Sequence, residues 1–311
     1  MFRSRLLLLA LFLSPFASMA PAHAHGSHGG GAELEAGEFD FTPLFTIEGH
    51  AGYDDNLEIP EKHFAGDFLI GAEWAWGLGN NQQISLSAFV GPTLISGGAE
   101  HFYGEIHVEE EGHAHEAHPV RRRVDFKGYF GANYKYSDNL DFQAYWNPYV
   151  VTSNETKIEG NEVETFESKG VKNELGIKAK YAFGDGDVDF GLGDSFADLV
   201  DGAYFSIDHR QGWGADGGYI GNYTDPRLGV GFNYGKTAFQ IDAGPRFYTP
   251  GSYASSLASR TDFAGEIMMS RPVSEEIEFF AHWKYVYTWD TTEGWGKGAQ
   301  HHLGAGITYK L

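Results

Sequence analysis

Apolar and polar residues alternate along most of the chain beyond residue 38. In the first such segment Phe41, Phe45 and Ile47 share one parity, while Thr46 and Glu48 occupy the other. A period of two places the two sets on opposite faces of a β-strand. Segments of this kind, each about ten residues long, recur about twelve times, and ten residues is the length that a tilted strand needs to cross a membrane.

The connections between these segments are of two kinds, which alternate along the chain. Short, turn-like connections fall at 79–82, 137–139, 184–187, 235–236 and 271–276. Long polar connections fall at 54–61, 97–122, 153–170, 249–260 and 290–298. A membrane β-barrel sorts its connections in this way, with short turns in the periplasm and long loops outside the cell. A soluble sandwich has no reason to do so.

The pattern therefore predicts an all-β fold: a transmembrane antiparallel up-and-down β-barrel over residues 39–311, with about twelve strands. Ten or fourteen strands stay open, because residues 188–226 alternate weakly and the seventh strand could begin at Val188 or at Ala203. This pattern resembles bacterial outer-membrane β-barrel channels of the porin-like class, although no diagnostic motif is present and the chain ends on Leu311 rather than on an aromatic residue. The resemblance implies an outer-membrane location, contact with the lipid bilayer and insertion by the outer-membrane assembly machinery.

The N-terminal segment reads as an export signal. Arg3 and Arg5 precede the apolar run 6–13, and Ala22-His23-Ala24 provides a small-x-small cleavage pattern. We therefore predict a signal peptide over residues 1–24, with cleavage after residue 20 as the alternative. Residues 25–38 then form a His- and Gly-rich periplasmic segment ahead of the barrel.

Composition narrows the classes of function. The chain has no cysteine, which excludes disulfides, thiolate metal sites and a thiol nucleophile. The formal net charge of −21 argues against a nucleic-acid partner and favours the attraction of cations. A mean hydropathy of −0.35 excludes a bundle of membrane-spanning helices.

Histidine supplies the main candidate chemistry, with 14 residues in the chain. Imidazole and carboxylate together suit divalent metals such as Zn²⁺, Mn²⁺, Ni²⁺ or Cu²⁺, and short His-rich tracts are a compositional signal for such binding. The candidates in the predicted extracellular loop 97–122 are His101, His107, His113, His115, His118, Glu109, Glu110, Glu111 and Glu116. His25 and His28 form a second, N-terminal set. The alternative is a solvated acidic loop without bound metal.

A third set of candidates is predicted inside the barrel. Glu48 and His50 lie near the outer end of the first strand, Asp67 near the start of the second, and His302 near the outer end of the last. The first and last strands must pair for a barrel to close, so these four side chains are expected to converge on a lumenal ion site. Ordinary polar lining of a wet interior is the alternative, and His282 is expected to belong to that lining.

Together these features predict a channel for passive diffusion of small cationic solutes, with divalent metal ions as a further class collected by the loops. No tightly bound cofactor is predicted. One rival is a non-conducting structural or surface-binding barrel. A second is an outer-membrane hydrolase using Ser206, but His209 is expected on the opposite face of that strand, out of reach of a nucleophile.

Overall fold

The computed structural model describes residues 34–55, 61–97, 121–159, 162–184, 201–252, 258–289 and 297–311. Within them the strands are β1 (Phe39–Asp54), β2 (Glu61–Gly79), β3 (Gln82–Gly97), β4 (Arg121–Ser137), β5 (Leu140–Val151), β6 (Glu155–Glu159), β7 (Glu162–Glu167), β8 (Gly170–Ala182), β9 (Ala203–Trp213), β10 (Tyr219–Tyr234), β11 (Thr237–Pro250), β12 (Arg260–Pro272), β13 (Ile277–Thr288) and β14 (Gly298–Lys310). No helix in these ranges is long and apolar enough to span a membrane.

Twelve of the strands form one closed antiparallel barrel, as the alternation predicts. Each strand pairs with the next along the chain, and β14 pairs with β1 to close the ring. The remaining two, β6 and β7, form a separate hairpin between β5 and β8. Closure leaves no unpaired strand edge, which is the requirement for crossing hydrocarbon with β-structure.

The two faces of the barrel wall are inverted relative to a soluble protein. Phe64 and Ile70 on the outer face expose 59% and 58% of their surface, whereas Asp67, Asp125 and Asp262 on the inner face expose none. An outer wall of large apolar side chains is stable only against lipid. The period-two pattern of the sequence therefore reports lipid on one side of each strand and a polar interior on the other.

Aromatic side chains gather at both ends of the outer wall. At the end where β1 begins, Phe39 packs against Trp76 and Phe41 against Trp74, with tilted rings whose centroids are 5.2 and 5.7 Å apart. At the other end Tyr285 and Tyr287 stack at 6.5 Å. Such belts match the two membrane interfaces.

The lengths of two connections differ from the prediction. The links 80–81, 138–139, 235–236 and 273–276 are short, and we call that end of the barrel the turn end and the opposite end the loop end. The link between β8 and β9, however, runs over 183–202 at the turn end, and the link 214–218 at the loop end has only five residues. The four-residue connection expected at 184–187 is therefore too short, because the seventh barrel strand begins at Ala203; residues 185–187 lie outside the described ranges.

The tightest turn has the backbone that a two-residue hairpin requires. Asn80 and Asn81 both have positive φ, 53° and 60°, the left-handed conformation of both central residues of a type I′ turn. Asparagine tolerates this conformation better than other residues with a side chain. The turn fixes the register of β2 against β3.

Aromatic rings fill part of the interior by lying over glycines of the neighbouring strand. A Cβ at Gly176 would lie 2.1 Å from Cζ of Tyr145, and one at Gly229 would lie 2.2 Å from Cζ of Tyr204. These glycines are therefore needed for close approach. The lumen is a packed, polar interior with limited free space, as expected between side-chain-filled small barrels and wide porins.

Candidate functional site in the barrel lumen

A cluster of imidazoles and carboxylates lies in the lumen, toward the loop end. Glu48 and His50 come from β1, Asp67 from β2, His282 from β13 and His302 from β14. All five are buried, and the side chains of Glu48, His50 and Asp67 have no accessible surface. The alternation of each strand turns these positions inward, and the pairing of β14 with β1 brings them together.

His50 is the centre of the cluster because both of its ring nitrogens are engaged. Its Nε2 lies 2.9 Å from Oδ2 of Asp67, and its Nδ1 lies 3.1 Å from Nε2 of His302. An ionised carboxylate only accepts hydrogen bonds, so Nε2 of His50 donates to Asp67. Nδ1 is then left with its lone pair directed toward His302. A carboxylate that orients a histidine in this way is the usual outer partner of a metal-binding imidazole.

The other imidazoles surround this pair. The rings of His282 and His302 are stacked with an interplanar angle of 2° and centroids 5.4 Å apart. Nδ1 of His282 lies 3.5 Å from Oε1 of Glu48, and the His63 ring lies 5.7 Å from that of His302. Gly304 provides the space, since a Cβ there would lie 2.3 Å from Cε1 of His282.

Two overlapping sets of donors have the spacing of a metal site. One comprises His50, His282 and His302, and the other comprises Glu48, His50 and Asp67. Within each set the donor atoms all lie within 4.8 Å of one another. Imidazole nitrogens with carboxylate oxygens suit Zn²⁺, Mn²⁺, Ni²⁺ and Cu²⁺. The residues therefore fit a divalent transition metal ion by chemistry and by spacing.

A lysine enters the cluster from the far side of β3. Lys127, on β4, donates a hydrogen bond from Nζ to the same Oδ2 of Asp67 that His50 contacts. Its ammonium group places a positive charge beside the carboxylates of Asp67 and Glu48.

The opposite wall of the lumen, from β8 to β12, is crossed by buried ion pairs. Nη2 of Arg246 lies 2.9 Å from Oδ2 of Asp225, and Nη2 of Arg227 lies 2.8 Å from the same oxygen. Arg210 binds Asp208 at 2.8 Å. A cavity of about 100 Å³ lies beside these residues and is lined by polar groups. Its size accommodates a few water molecules.

The structure brings together the four lumenal residues that the sequence nominated. Glu48, His50, Asp67 and His302 converge, and their role as metal ligands stays a prediction. His282 belongs to the cluster itself, although the sequence suggested only lining. His63 and Lys127 also join it, through a ring contact with His302 and a hydrogen bond to Asp67, respectively.

The remaining metal candidates lie outside the described residues. These are His25, His28, His101, His107, His113, His115, His118, Glu109, Glu110, Glu111 and Glu116, together with the predicted signal peptide over 1–24. Of the predicted N-terminal segment 25–38, only 34–38 are described, and Gly37 there donates its backbone N–H to the carbonyl of Gly77 on β2.

The proposed hydrolase residues point in different directions, as the sequence predicted. Ser206 is buried in the lumen with 2% of its surface exposed. His209 lies on the outer wall, where its Nδ1 is 2.9 Å from Oγ1 of Thr224, on the outer face of β10. Nucleophile and base must lie within hydrogen-bond reach of each other. Ser206 and His209 therefore do not form a catalytic pair.

Comparison with known proteins supports the barrel class. Residues 190–311 match a family model described as a cyanophage outer membrane protein-like β-barrel domain, which is less than half of the chain. The β domain of the Bordetella autotransporter BrkA is similar in structure, with a TM-score of 0.51 at 11% identity, covering 87% of this chain and 99% of that one. No curated protein sequence matches.

Two further solved structures are similar at lower TM-scores. The translocator domain of the autotransporter NalP from Neisseria meningitidis has a TM-score of 0.47 at 11% identity, covering 87% of this chain and 88% of that one. The CymD monoaromatic hydrocarbon channel has a TM-score of 0.42 at 10% identity, with 89% of each chain covered. With its closed ring, its apolar outer wall and the family match over residues 190–311, the chain is a twelve-stranded β-barrel of the bacterial outer membrane.

Proposed function

We propose that this barrel is an outer-membrane channel for small cations and that divalent transition metal ions are the solutes it favours. The observation that carries the proposal is the buried cluster around His50, in which imidazoles and carboxylates share one water-poor space. Burying carboxylates without compensation is costly. A divalent cation bound between them offsets that cost and uses the imidazole nitrogens as ligands.

Charge and size agree with this choice of solute. The net charge of −21 raises the local concentration of cations around the protein and disfavours anions. The cavity of about 100 Å³ beside the ion pairs of the opposite wall is well below the roughly 300 Å³ of ordinary small-molecule sites. Ions with a few waters fit this interior better than sugars or larger nutrients do.

The two donor sets suggest a stepwise path. Along β1, Gly52 is level with His63 and His302, whereas Glu48, four residues nearer the turn end, is level with Asp67. The imidazoles therefore lie nearer the loop end and the carboxylates deeper. His50 belongs to both sets through different ring nitrogens, with Nδ1 toward His302 and Nε2 toward Asp67. An entering ion can therefore move from the imidazole set to the carboxylate set by exchanging one nitrogen of this ring for the other. Overlapping sites of moderate affinity favour passage over trapping.

Transport in vesicles tests the proposal. Purified protein is reconstituted in liposomes that contain a Zn²⁺- or Mn²⁺-sensitive dye, and influx is compared for the wild type and His50→Ala. We expect influx through the wild type and a large loss in the variant. Equal influx through both, with the variant folded as judged by its heat-modifiable migration in gels, would exclude the cluster as the metal path.

The histidine-rich loop is proposed as a collecting site for the same ions. Its sequence alternates imidazole and carboxylate side chains without the need for fixed geometry. Deletion of residues 104–118 is expected to lower metal accumulation by cells when metal is scarce and to leave accumulation unchanged when metal is abundant. If the deletion strain and the wild type accumulate equal amounts of metal even when metal is scarce, the loop has no part in collection.

A closed metal-binding barrel is the second candidate. The buried ion pairs of Arg246 and Asp225 narrow the far side of the lumen, which favours binding without passage. Planar-bilayer conductance in KCl and ZnCl₂ separates the two. Metal binding without any conductance would favour the closed barrel over the channel.

A further inference from the structure

Lys127 reaches the lumenal cluster from two strands away. It lies on β4, and Asp67 lies on β2, with β3 between them. The register partner of Lys127 on β3 is Gly91, which has no side chain, so the lysine can extend over β3. Its Nζ donates to Oδ2 of Asp67, and its side chain is only 13% accessible. A long aliphatic side chain is thus held in a fixed direction by the wall beneath it.

The ammonium group lies where a metal ion would compete with it. The oxygen of Asp67 that accepts from Lys127 is the one that lies 2.9 Å from Nε2 of His50. Lys127 also interacts electrostatically with Glu48 and His282. It is therefore charge-coupled to both donor sets, and in an interior of low dielectric such coupling is strong.

We infer that Lys127 is the tethered cation of the lumenal site: it neutralises the buried carboxylates when no metal is bound and competes with each cation that enters. This inference rests on the proposed metal binding and adds a selection rule to it. A tethered group acts at a high effective concentration. A monovalent ion brings no more charge than Lys127 and gains little from imidazole, so it does not displace the lysine. A divalent transition metal gains both charge and nitrogen ligands.

Zinc affinity of three purified proteins tests the inference. The wild type, Lys127→Met and Lys127→Arg are titrated with Zn²⁺ against a competing chelator, with and without high KCl. Methionine keeps an unbranched side chain, one atom shorter than that of lysine, and removes its charge. We expect Lys127→Met to bind Zn²⁺ about tenfold more tightly or better, and its binding to become sensitive to K⁺. Lys127→Arg keeps the charge and is expected to stay near the wild type.

Lys135→Met is the matched control. Lys135 lies on the same strand and also faces the interior, but it pairs with Asp138 at 3.1 Å at the turn end. Its replacement is expected to leave Zn²⁺ affinity unchanged. Gel migration with and without heating shows whether each variant is folded.

The outcomes separate the inference from the proposed function. If the wild type binds Zn²⁺ and folded Lys127→Met binds it with the same affinity, the role of the lysine is overturned and the metal site stays in place. An absence of Zn²⁺ binding in both proteins would overturn the proposed function, and the inference with it. Tighter binding in Lys127→Met alone would support both.

Discussion

Nδ1 of His50 lies 3.1 Å from Nε2 of His302, although the two residues are 252 positions apart in the sequence. His50 belongs to β1 and His302 to β14, so this contact spans the seam at which the barrel closes. The imidazole set of the candidate site, His50 with His282 and His302, exists only when the seam is formed. A metal ion bound there would stabilise the closed barrel, because a ligand that binds only the folded state shifts the folding equilibrium toward it.

Replacement of His302 is expected to weaken metal binding selectively. Loss of one imidazole of the cluster should lower Zn²⁺ affinity by about 100-fold or more. Replacing a residue that only orients a metal ligand already lowers affinity by about 10- to 100-fold, and a direct ligand should matter at least as much. His301→Ala is the matched control, because His301 faces outward and stacks against Trp283 with an interplanar angle of 5°. Chelator competition measures both. Similar losses in the two variants would argue against a lumenal site.

Gly304 is expected to be intolerant of a side chain because of its place beside the site. A Cβ there would lie 2.3 Å from Cε1 of His282 and 2.7 Å from Oε1 of Glu48. Gly304→Ala should therefore displace the imidazole and reduce Zn²⁺ affinity while the barrel still folds. Gly49→Ala on β1 serves as control, since its nearest neighbour would be 3.9 Å away. Unchanged affinity in Gly304→Ala would remove His282 from the set of ligands.

Asp225 is expected to be important for stability rather than for metal binding. It is buried and binds both Arg246 and Arg227. Asp225→Ala leaves two guanidinium groups without this partner, and removal of one member of a buried pair costs about 3–5 kcal/mol. Urea unfolding in detergent, followed by tryptophan fluorescence, should show the loss. A change near zero would mean that water solvates the arginines.

The turn end should show a pH-dependent contact at Asp138. A hydrogen bond from Nδ2 of Asn81, at 3.0 Å, and the nearby Lys135 hold the pKa of Asp138 below its ordinary value of 3.8. The contact is therefore fully present above the ordinary pKa and is lost as the pH falls through the lowered one. Asn81→Gly keeps the positive φ of the turn and removes the donor. Carboxyl NMR titration should show the pKa of Asp138 rising in this variant, and an unchanged titration would assign the lowering to Lys135.

The sequence predicts the barrel well because lipid imposes a strict period of two. Phe64 and Ile70 against Asp67 already show which side of β2 faces hydrocarbon. The same rule gives about twelve strands but leaves ten or fourteen open, and the pairing of β8 with β9 decides for twelve. The stretch 188–226 was less predictable. It contains β9, which has eleven residues and is the shortest of the twelve barrel strands. His209 on β9 and Thr224 on β10 also interrupt the apolar outer face with polar side chains.

The site was predictable only where topology fixed the neighbours. Closure makes the strand of His50 a neighbour of the strand of His302, because the first and last strands must pair. Lys127 could not be placed, because its long side chain extends over Gly91 on the adjacent strand β3 to contact Asp67, which lies two strands away on β2. The stacking of His282 on His302 depends in turn on the register of β13 against β14, which alternation does not specify.

Anomalous X-ray diffraction from crystals grown with Zn²⁺ or Mn²⁺ tests the central claim most directly. Data collected on both sides of the metal absorption edge locate the ion without reference to activity. We predict a strong anomalous peak inside the barrel, bonded to His50 at about 2.0–2.2 Å and to two further members of the cluster. A lumen without any anomalous peak at saturating metal, or metal confined to the outer loops, would contradict the account.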